Sequence, residues 1–355
     1  MEEIIKYLQI AVNKKASDLF IIPGLPISLK IDGSICGESE TIIMPDIANM
    51  LVHQLFTIAS RPMENYLQTG DDDFSVSIKG LSRFRICTYR QRGSMAAVIR
   101  VVSFDVPTPA DFSIPAAVIN VAENSHGLIL VTGPAGGGKS TTMACITEAI
   151  NCNRNAHIIT IEDPIEYLHK NKKSVISQRE IGADTVSYIA ALRASLRQAP
   201  DVIMLGEMRD LETIKIAMTA AETGHLVIST LHTVGAVNTI DRIIDVFPPN
   251  QQQQIRAQLS MVLQTVISQQ LVPAIKGGLL PIFEIMHLNS AIRTMIREAK
   301  THQIDSVIQS SAADGMFGMD FYLFQQYKNG LVSKETALLY AMNPGQMERR
   351  VQDFT

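Results

Sequence analysis

Four apolar runs constrain this chain most: LILVTG at residues 128–133, HIITIED at 157–163, DVIMLGE at 201–207 and HLVISTLH at 225–232. Each has the length of a strand, and the segments between them carry helical patterns. A strand that is apolar on both faces has to be covered on both faces. Such strands alternating with helices make a parallel sheet with helices above and below it. Each run ends in a polar residue or a glycine, and in open α/β sheets the ligand site lies at those carboxyl ends.

The residues that end the runs carry the chemistry. Gly133, Pro134, Ala135, Gly136, Gly137, Gly138, Lys139, Ser140 and Thr141 follow the first run and fit the pattern G-x-x-x-x-G-K-[ST]. A helix around Met143 to Ile150 comes next. Glycines let backbone N–H groups wrap phosphates, and the helix start adds positive potential. Lys139 is expected at the β- and γ-phosphates of ATP, and Ser140 on Mg²⁺. A glycine-rich turn that binds nothing is the bland alternative, and Lys-Ser in a strand–helix context argues against it. Glu207 ends the third run, where it can orient or deprotonate the attacking water; alone, it would read as a helix cap. Glu162 and Asp163 end the second run. Glu162 is a candidate for direct chemistry or for the outer surroundings of Mg²⁺, while Asp163 can cap the turn and Glu166 can be solvated. His232 ends the fourth run, where it can sense a γ-phosphate; His225, at the start of that run, reads as structural.

The flanks read differently. Ile4, Ile5, Leu8 and Val12 have helical spacing, and Ile27, Leu29 and Ile31 alternate into Asp32-Gly33, a hairpin signal. Alternation returns at Phe74–Ile78 and Phe84–Ile86, and Met95–Val102 is a further apolar run, so residues 1–103 read as a small α+β domain with an antiparallel sheet. Pro107, Pro109 and Pro115 make 104–115 a linker. Residues 116–275 form the α/β core, and 276–355 read as a helical C-terminal region, including AIRTMIREAK with Ile292, Met295 and Ile296 on one face.

Composition excludes several classes. With 46% apolar and 19% charged residues over 355 positions, the chain reads as globular and long enough for two or three cored domains. A formal charge of −4 lacks the basic footprint of a nucleic-acid binder. Cys36, Cys87, Cys145 and Cys152 form no C-x-x-C pair, which points to neither a zinc ribbon nor a disulfide framework and fits a reduced, cytosolic compartment. The N-terminus is amphipathic and starts with acids, unlike a signal peptide. No apolar run approaches the ~18 residues of a membrane span.

The segments GPAGGGKSTT, ITIEDPIEY, LRQAPDVIMLGEMRD, ETGHLVISTLHT and AIRTMIRE, in that order, resemble the secretion ATPase superfamily. Within it they resemble the type IV pilus retraction ATPases, over nearly the whole chain. RFRICTYRQRGSMAAVIR resembles the end of that family's PAS-like N-terminal domain. The resemblance implies a RecA-like P-loop NTPase domain behind a PAS-like α+β domain. It labels Glu162, Asp163 and Glu166 as the family's Asp box and His225 to His232 as its His box, and it ties AIRTMIRE to retraction.

It further implies a cytoplasmic homohexameric motor at the inner face of the inner or plasma membrane. Such a motor uses ATP and Mg²⁺, works on an inner-membrane pilus platform protein and through it on pilin, and binds no nucleic acid. Its ATP sites lie between the N-terminal domain of one subunit and the RecA-like domain of the next. Arg83, Arg85, Arg193, Arg197 and Arg209 are candidates for an arginine supplied in trans; taken singly, each reads as a surface ion pair. The chain departs from the family pattern at Ala135 and Gly137 (usually Thr and Ser), at Ala199 (usually an acid) and at Phe20 (often His). Assembly and type II secretion ATPases usually carry a four-cysteine insertion that is missing here. An accessory retraction paralogue, a nucleic-acid translocase and a non-catalytic scaffold are the other readings.

Overall fold

The computed structural model describes residues 2–31, 33–102 and 106–354. They divide between two units, Met1–Asp105 with Glu166–Leu168, and Val106–Ile165 with His169–Thr355.

The first unit runs α1 (Glu2–Asn13), β1 (Asp18–Ile21), β2 (Pro26–Ile31), β3 (Ser34–Ile42), α2 (Pro45–Ile58), α3 (Glu64–Thr69), β4 (Asp71–Ile78), β5 (Ser82–Gln91) and β6 (Ser94–Val102). Its six strands pair antiparallel in the order β3-β2-β1-β6-β5-β4. The hairpin expected at 32–33 forms, with Ile31 opposite Ser34; Asp32 lies outside the described residues. β1 went unread because four residues show no pattern of their own. Pairing with β2 on one side and β6 on the other supplies what local sequence lacks. Pro45 starts α2 where a missing N–H costs nothing, and Leu51, Leu55, Phe56, Tyr66 and Phe74 build the core.

The second unit runs α4 (Ala116–Ile119), β7 (Gly127–Thr132), α5 (Lys139–Asn153), β8 (His157–Glu162), β9 (Val175–Glu180), α6 (Tyr188–Ser195), β10 (Val202–Leu205) and α7 (Leu211–Glu222). It continues through β11 (Leu226–Leu231), α8 (Ala236–Asp245), α9 (Pro249–Val262), β12 (Leu263–Pro273), β13 (Leu279–His287) and α10 (Ser290–Arg297). It closes with α11 (Ile304–Ser310), α12 (Met319–Lys328), α13 (Lys334–Tyr340) and α14 (Pro344–Phe354). The sheet order is β13-β12-β7-β11-β10-β8-β9, parallel throughout except for the edge strand β13. Residues 106–115 belong to this unit, with Ile114 buried.

The four apolar runs become β7, β8, β10 and β11, adjacent in the sheet. Their side chains alternate between two cores. Leu128, Leu130, Ile159, Ile203 and Val227 face one, and Ile129, Val131, Ile158, Val202 and Ile228 face the other. Each fully buried aliphatic side chain contributes about 1.5–3 kcal/mol, so both halves of the alternation specify the layered fold. A separate cluster of Val272, Met319, Leu323, Met347 and Val351 holds the C-terminal helices.

One expectation needs correction. Residues 276–355 are not wholly helical, because β13 occupies Leu279–His287 and pairs with β12 in a hairpin turned by 274–278. Pro281 is tolerated because β13 is the sheet edge, where a missing donor leaves no partner unpaired. No helix among the described residues is long and apolar enough to cross a membrane.

Candidate nucleotide-binding site

Strand register builds the glycine loop. β12 lies parallel to β7 with Ser268 opposite Thr132, so Gln269 arrives beside Gly133, the first residue past β7. A Cβ on Gly133 would sit 2.0 Å from the Gln269 carbonyl oxygen, and one on Gly138 would sit 2.7 Å from Gln269 Nε2. Gly138 also has φ +80°, in the left-handed region that favours glycine. The buried Gln269 accepts a hydrogen bond from Thr142 Oγ1 on α5 at 2.6 Å, fixing the helix against the loop it follows. Gln269 lies 127 positions from Thr142, and no motif announces it.

Lys139 opens α5, a 15-residue helix whose N-terminal N–H groups and dipole favour an anion. Its ammonium is buried and donates to the carbonyls of Gly133 and Pro134 at 2.8 Å each. Pro134, Ala135 and Gly136 are exposed, as is Ser140 at the helix start. These donors fit a polyphosphate. Among the described residues no group of three or more His, Cys, Asp or Glu side chains is placed to hold a metal. A divalent ion at Ser140 would therefore draw most of its ligands from phosphate and water, as Mg²⁺ does.

Glu207 sits in the turn from β10 to α7, pinned from both neighbouring strands. The Gly206 N–H donates to Ile161 O at 2.8 Å, Thr230 Oγ1 donates to Gly206 O at 2.6 Å, and the Met208 N–H donates to Thr230 O at 3.1 Å. Asp210 then caps α7 by accepting from the Thr213 N–H at 2.8 Å. The Glu207 carboxylate takes Arg209 at 2.5 Å and His232 Nε2 at 3.3 Å. His232 Nδ1 lies 3.5 Å from the Lys139 ammonium. An ammonium has only donors, so Nδ1 faces it as the acceptor and the imidazole proton belongs on Nε2, toward Glu207. Lys139, His232, Glu207 and Arg209 thus stand in one row across the ends of β7, β11 and β10. A cavity of about 340 Å³ opens beside Glu207 and His232, with Arg209 and Arg242 in its wall.

Glu162 ends β8 as a buried carboxylate that accepts from Thr160 Oγ1 at 2.6 Å and Gln178 Nε2 at 3.1 Å. Tyr188, unread in the sequence, places its hydroxyl 2.7 Å from where a Cβ on Gly206 would be. Burial, together with the charges of Glu207, Asp163 and Glu162, raises the Tyr188 pKa, so its phenol keeps its proton. His225 bonds Ala220 O through Nδ1 at 3.0 Å. Arg193 pairs with Glu212, and Arg197 donates to Arg193 O at 3.2 Å. Arg83 and Arg85 lie on β5 of the first unit, where Arg83 donates to Ser77 Oγ at 3.2 Å.

Behind the site, Gln178 accepts from the His169 N–H at 2.8 Å, and the His169 ring meets Glu148 of α5 at 3.0 Å. Lys172 and Asn151 also donate to Glu148, at 2.6 and 3.0 Å. Burial lowers the His169 pKa and outweighs the Glu148 hydrogen bond, so the ring is neutral and donates from Nδ1. Burial opposes ionisation of Glu148 too, but its three donors together hold its pKa below the ordinary 4.5. The stability that comes from a neutral His169 is complete above 6.5, its unperturbed value, and erodes as the pH falls below that. The Glu148 contribution is complete above 4.5 and is lost as the pH falls further. His169→Gln keeps a donor for Glu148 and removes the first loss but not the second, which urea unfolding at pH 7.5, 5.5 and 3.5 checks.

A glycine loop that aims an ammonium and a helix start at one point, with a carboxylate–imidazole pair beside it, defines a P-loop nucleotide-binding protein. The chain belongs to the type II/IV secretion system protein family, whose family model matches residues 1–278. It is 42% identical over 340 residues to the type IV pilus retraction ATPase PilT of Pseudomonas aeruginosa, covering 94% of this chain and 97% of that one. The type IV pilus ATPase PilU of the same organism is 36% identical over 96% of this chain and 88% of its own. The crystal structure of the pilus retraction motor PilT with bound ADP superposes with a TM-score of 0.89, at 44% identity and 98% coverage of both chains.

Proposed function

We propose that this chain is the ATPase motor of type IV pilus retraction, hydrolysing MgATP to drive pilin disassembly. The observation that carries the reading is the Lys139–His232–Glu207 row at the strand ends. On nucleotide binding, the Lys139 ammonium exchanges the Gly133 and Pro134 carbonyls for the β- and γ-phosphates. The first-turn N–H groups of α5 take the remaining phosphate charge. The Ser140 hydroxyl would hold Mg²⁺, which would supply further neutralisation of that charge. Glu207 orients a water and takes its proton as the water oxygen bonds to the γ-phosphorus. The bond from that phosphorus to the bridging oxygen breaks, and ADP keeps its electron pair. His232, touching both Lys139 and Glu207, registers whether the γ-phosphate is present. Glu162, whose carboxylate Thr160 and Gln178 already hold, would act on the metal only through its outer surroundings.

The working form is a homohexamer at the cytoplasmic face of the membrane, acting on a platform protein and through it on pilin. Arg209 is engaged by Glu207 of its own chain, which places it in this chain's own site, and Arg83 and Arg85 stay candidates for the arginines a neighbour supplies. The full chain is expected to release phosphate from MgATP in a particle of about six chains, with specific activity falling on dilution below ring formation. Phosphate release with light scattering across a concentration series checks both. A monomer with concentration-independent turnover overturns the shared site, and a ring without turnover overturns the motor.

A further inference from the structure

The turn that carries His232 ends at α8, and neither α8 nor α12 has a cap of its own. Their N-cap residues are Gly235 and Gly318, which have no side chain to accept a helix N–H. One residue elsewhere serves both. Glu284, at the centre of β13 and 8% exposed, accepts from the Ala236 N–H at 2.7 Å through Oε1 and from the Met319 N–H at 3.3 Å through Oε2. A single carboxylate thus faces the positive ends of two ten-residue helices.

The surroundings link this contact to the site. Ser268 pairs with Glu284 across β12 and β13, and its Oγ accepts from the Gly235 N–H at 2.8 Å. The next residue along β12 is Gln269, which backs the glycine loop. Thr233 and Thr239 bond each other at 2.7 Å, so the turn from His232 is closed onto the first turns of α8. On the other side, Met319 starts α12 and belongs to the cluster that holds α12, α13 and α14 together. A cavity of about 380 Å³, with Asp305, Met319 and Arg350 in its wall, leaves the start of α12 room to shift. Burial raises the Glu284 pKa from its ordinary 4.5, the Ala236 and Met319 N–H donors pull it back, and Asp305 and Asp320 add to the rise.

We propose that Glu284 is a positioning residue that couples the His232 turn to the C-terminal helices, by tying the first N–H of α8 to the first N–H of α12. Displacement of the turn on nucleotide binding or γ-phosphate loss is carried through this carboxylate to α12–α14. A C-terminal region that moves with the nucleotide state is what a motor needs to pass work outward. The coupling rests on the nucleotide reading of the site, and the test separates the two.

Amide exchange of the full chain is measured with and without saturating ADP, alongside ATP turnover, for the wild type and for Glu284→Gln. Gln keeps the shape and one acceptor oxygen but presents an amide to one of the two N–H groups. In the wild type, ADP is expected to slow exchange at residues 236–240 and at 319–323. In Glu284→Gln only the first segment responds, and kcat falls about tenfold while KM for ATP moves less than twofold. Absence of an ADP response at 319–323 in the wild type overturns the coupling without any variant. Unchanged kcat, KM and exchange response with only a lower Tm makes Glu284 a plain helix cap and also overturns it. If Glu284→Gln does not fold, Glu284→Asp, whose shorter carboxylate cannot span both helices, is read in the same way. Wild-type chain that binds ADP but does not turn over ATP sinks the motor reading, and the exchange result still decides the coupling.

Discussion

Glu207→Gln protein binds ATP as the wild type does and hydrolyses it about 10²–10³ times more slowly, the range expected for removing a positioned general base. The substitution is close to isosteric. The amide oxygen can still accept from Arg209, and the turn keeps the hydrogen bonds made by Gly206, Thr230 and Met208. What disappears is the negative charge and its capacity to take a proton. Nucleotide binding by fluorescence titration and phosphate release in a single turnover separate the two effects. Turnover within tenfold of wild type, with binding intact, assigns the water to another group.

Lys139→Ala is expected to weaken MgATP binding by at least about 10²-fold, and to do so without unfolding the chain. Charge-assisted hydrogen bonds contribute about 1.5–3 kcal/mol each, and the ammonium is placed to exchange two loop carbonyls for two phosphates. The loop itself is shaped by its glycines and by Gln269, which the substitution leaves alone. A thermal melt near wild type together with lost binding is therefore the expected pair. ATP affinity within threefold of wild type contradicts the role given to Lys139. The two variants dissect the row from opposite ends: one loses chemistry with binding kept, and the other loses binding.

The proposed site is made of close-range and long-range parts, and they differ in how readable they are. Lys139, Ser140, Glu207 and His232 were legible because each ends a strand or begins a helix, and strand ends can be found from apolar patterning alone. Gln269, Tyr188 and Glu284 were not. A glutamine in TVISQQLVP, a tyrosine at a helix start and a glutamate inside an apolar run carry no local sign of what they touch. β12 and β13 hid for a related reason. Ser268, Gln269 and Gln270 break the apolar run of β12, and Pro281 and the paired glycines speak against β13.

By itself, the order of apolar runs and turn residues determined a parallel sheet, a glycine loop at its ligand edge and the identity of the residues facing that edge. Those properties depend on hydrophobic period and backbone freedom, which act over a few residues. The tertiary structure alone decided which partners hold them. That β12 brings Gln269 against Gly133 is a matter of strand register between distant segments. That Glu284 caps two helices at once depends on three separate pieces of chain meeting at one carboxylate. That His232 bridges Lys139 and Glu207 depends on β7, β10 and β11 ending at the same edge. Contacts of that kind are set by the packing of the whole sheet, and no local stretch of sequence encodes them.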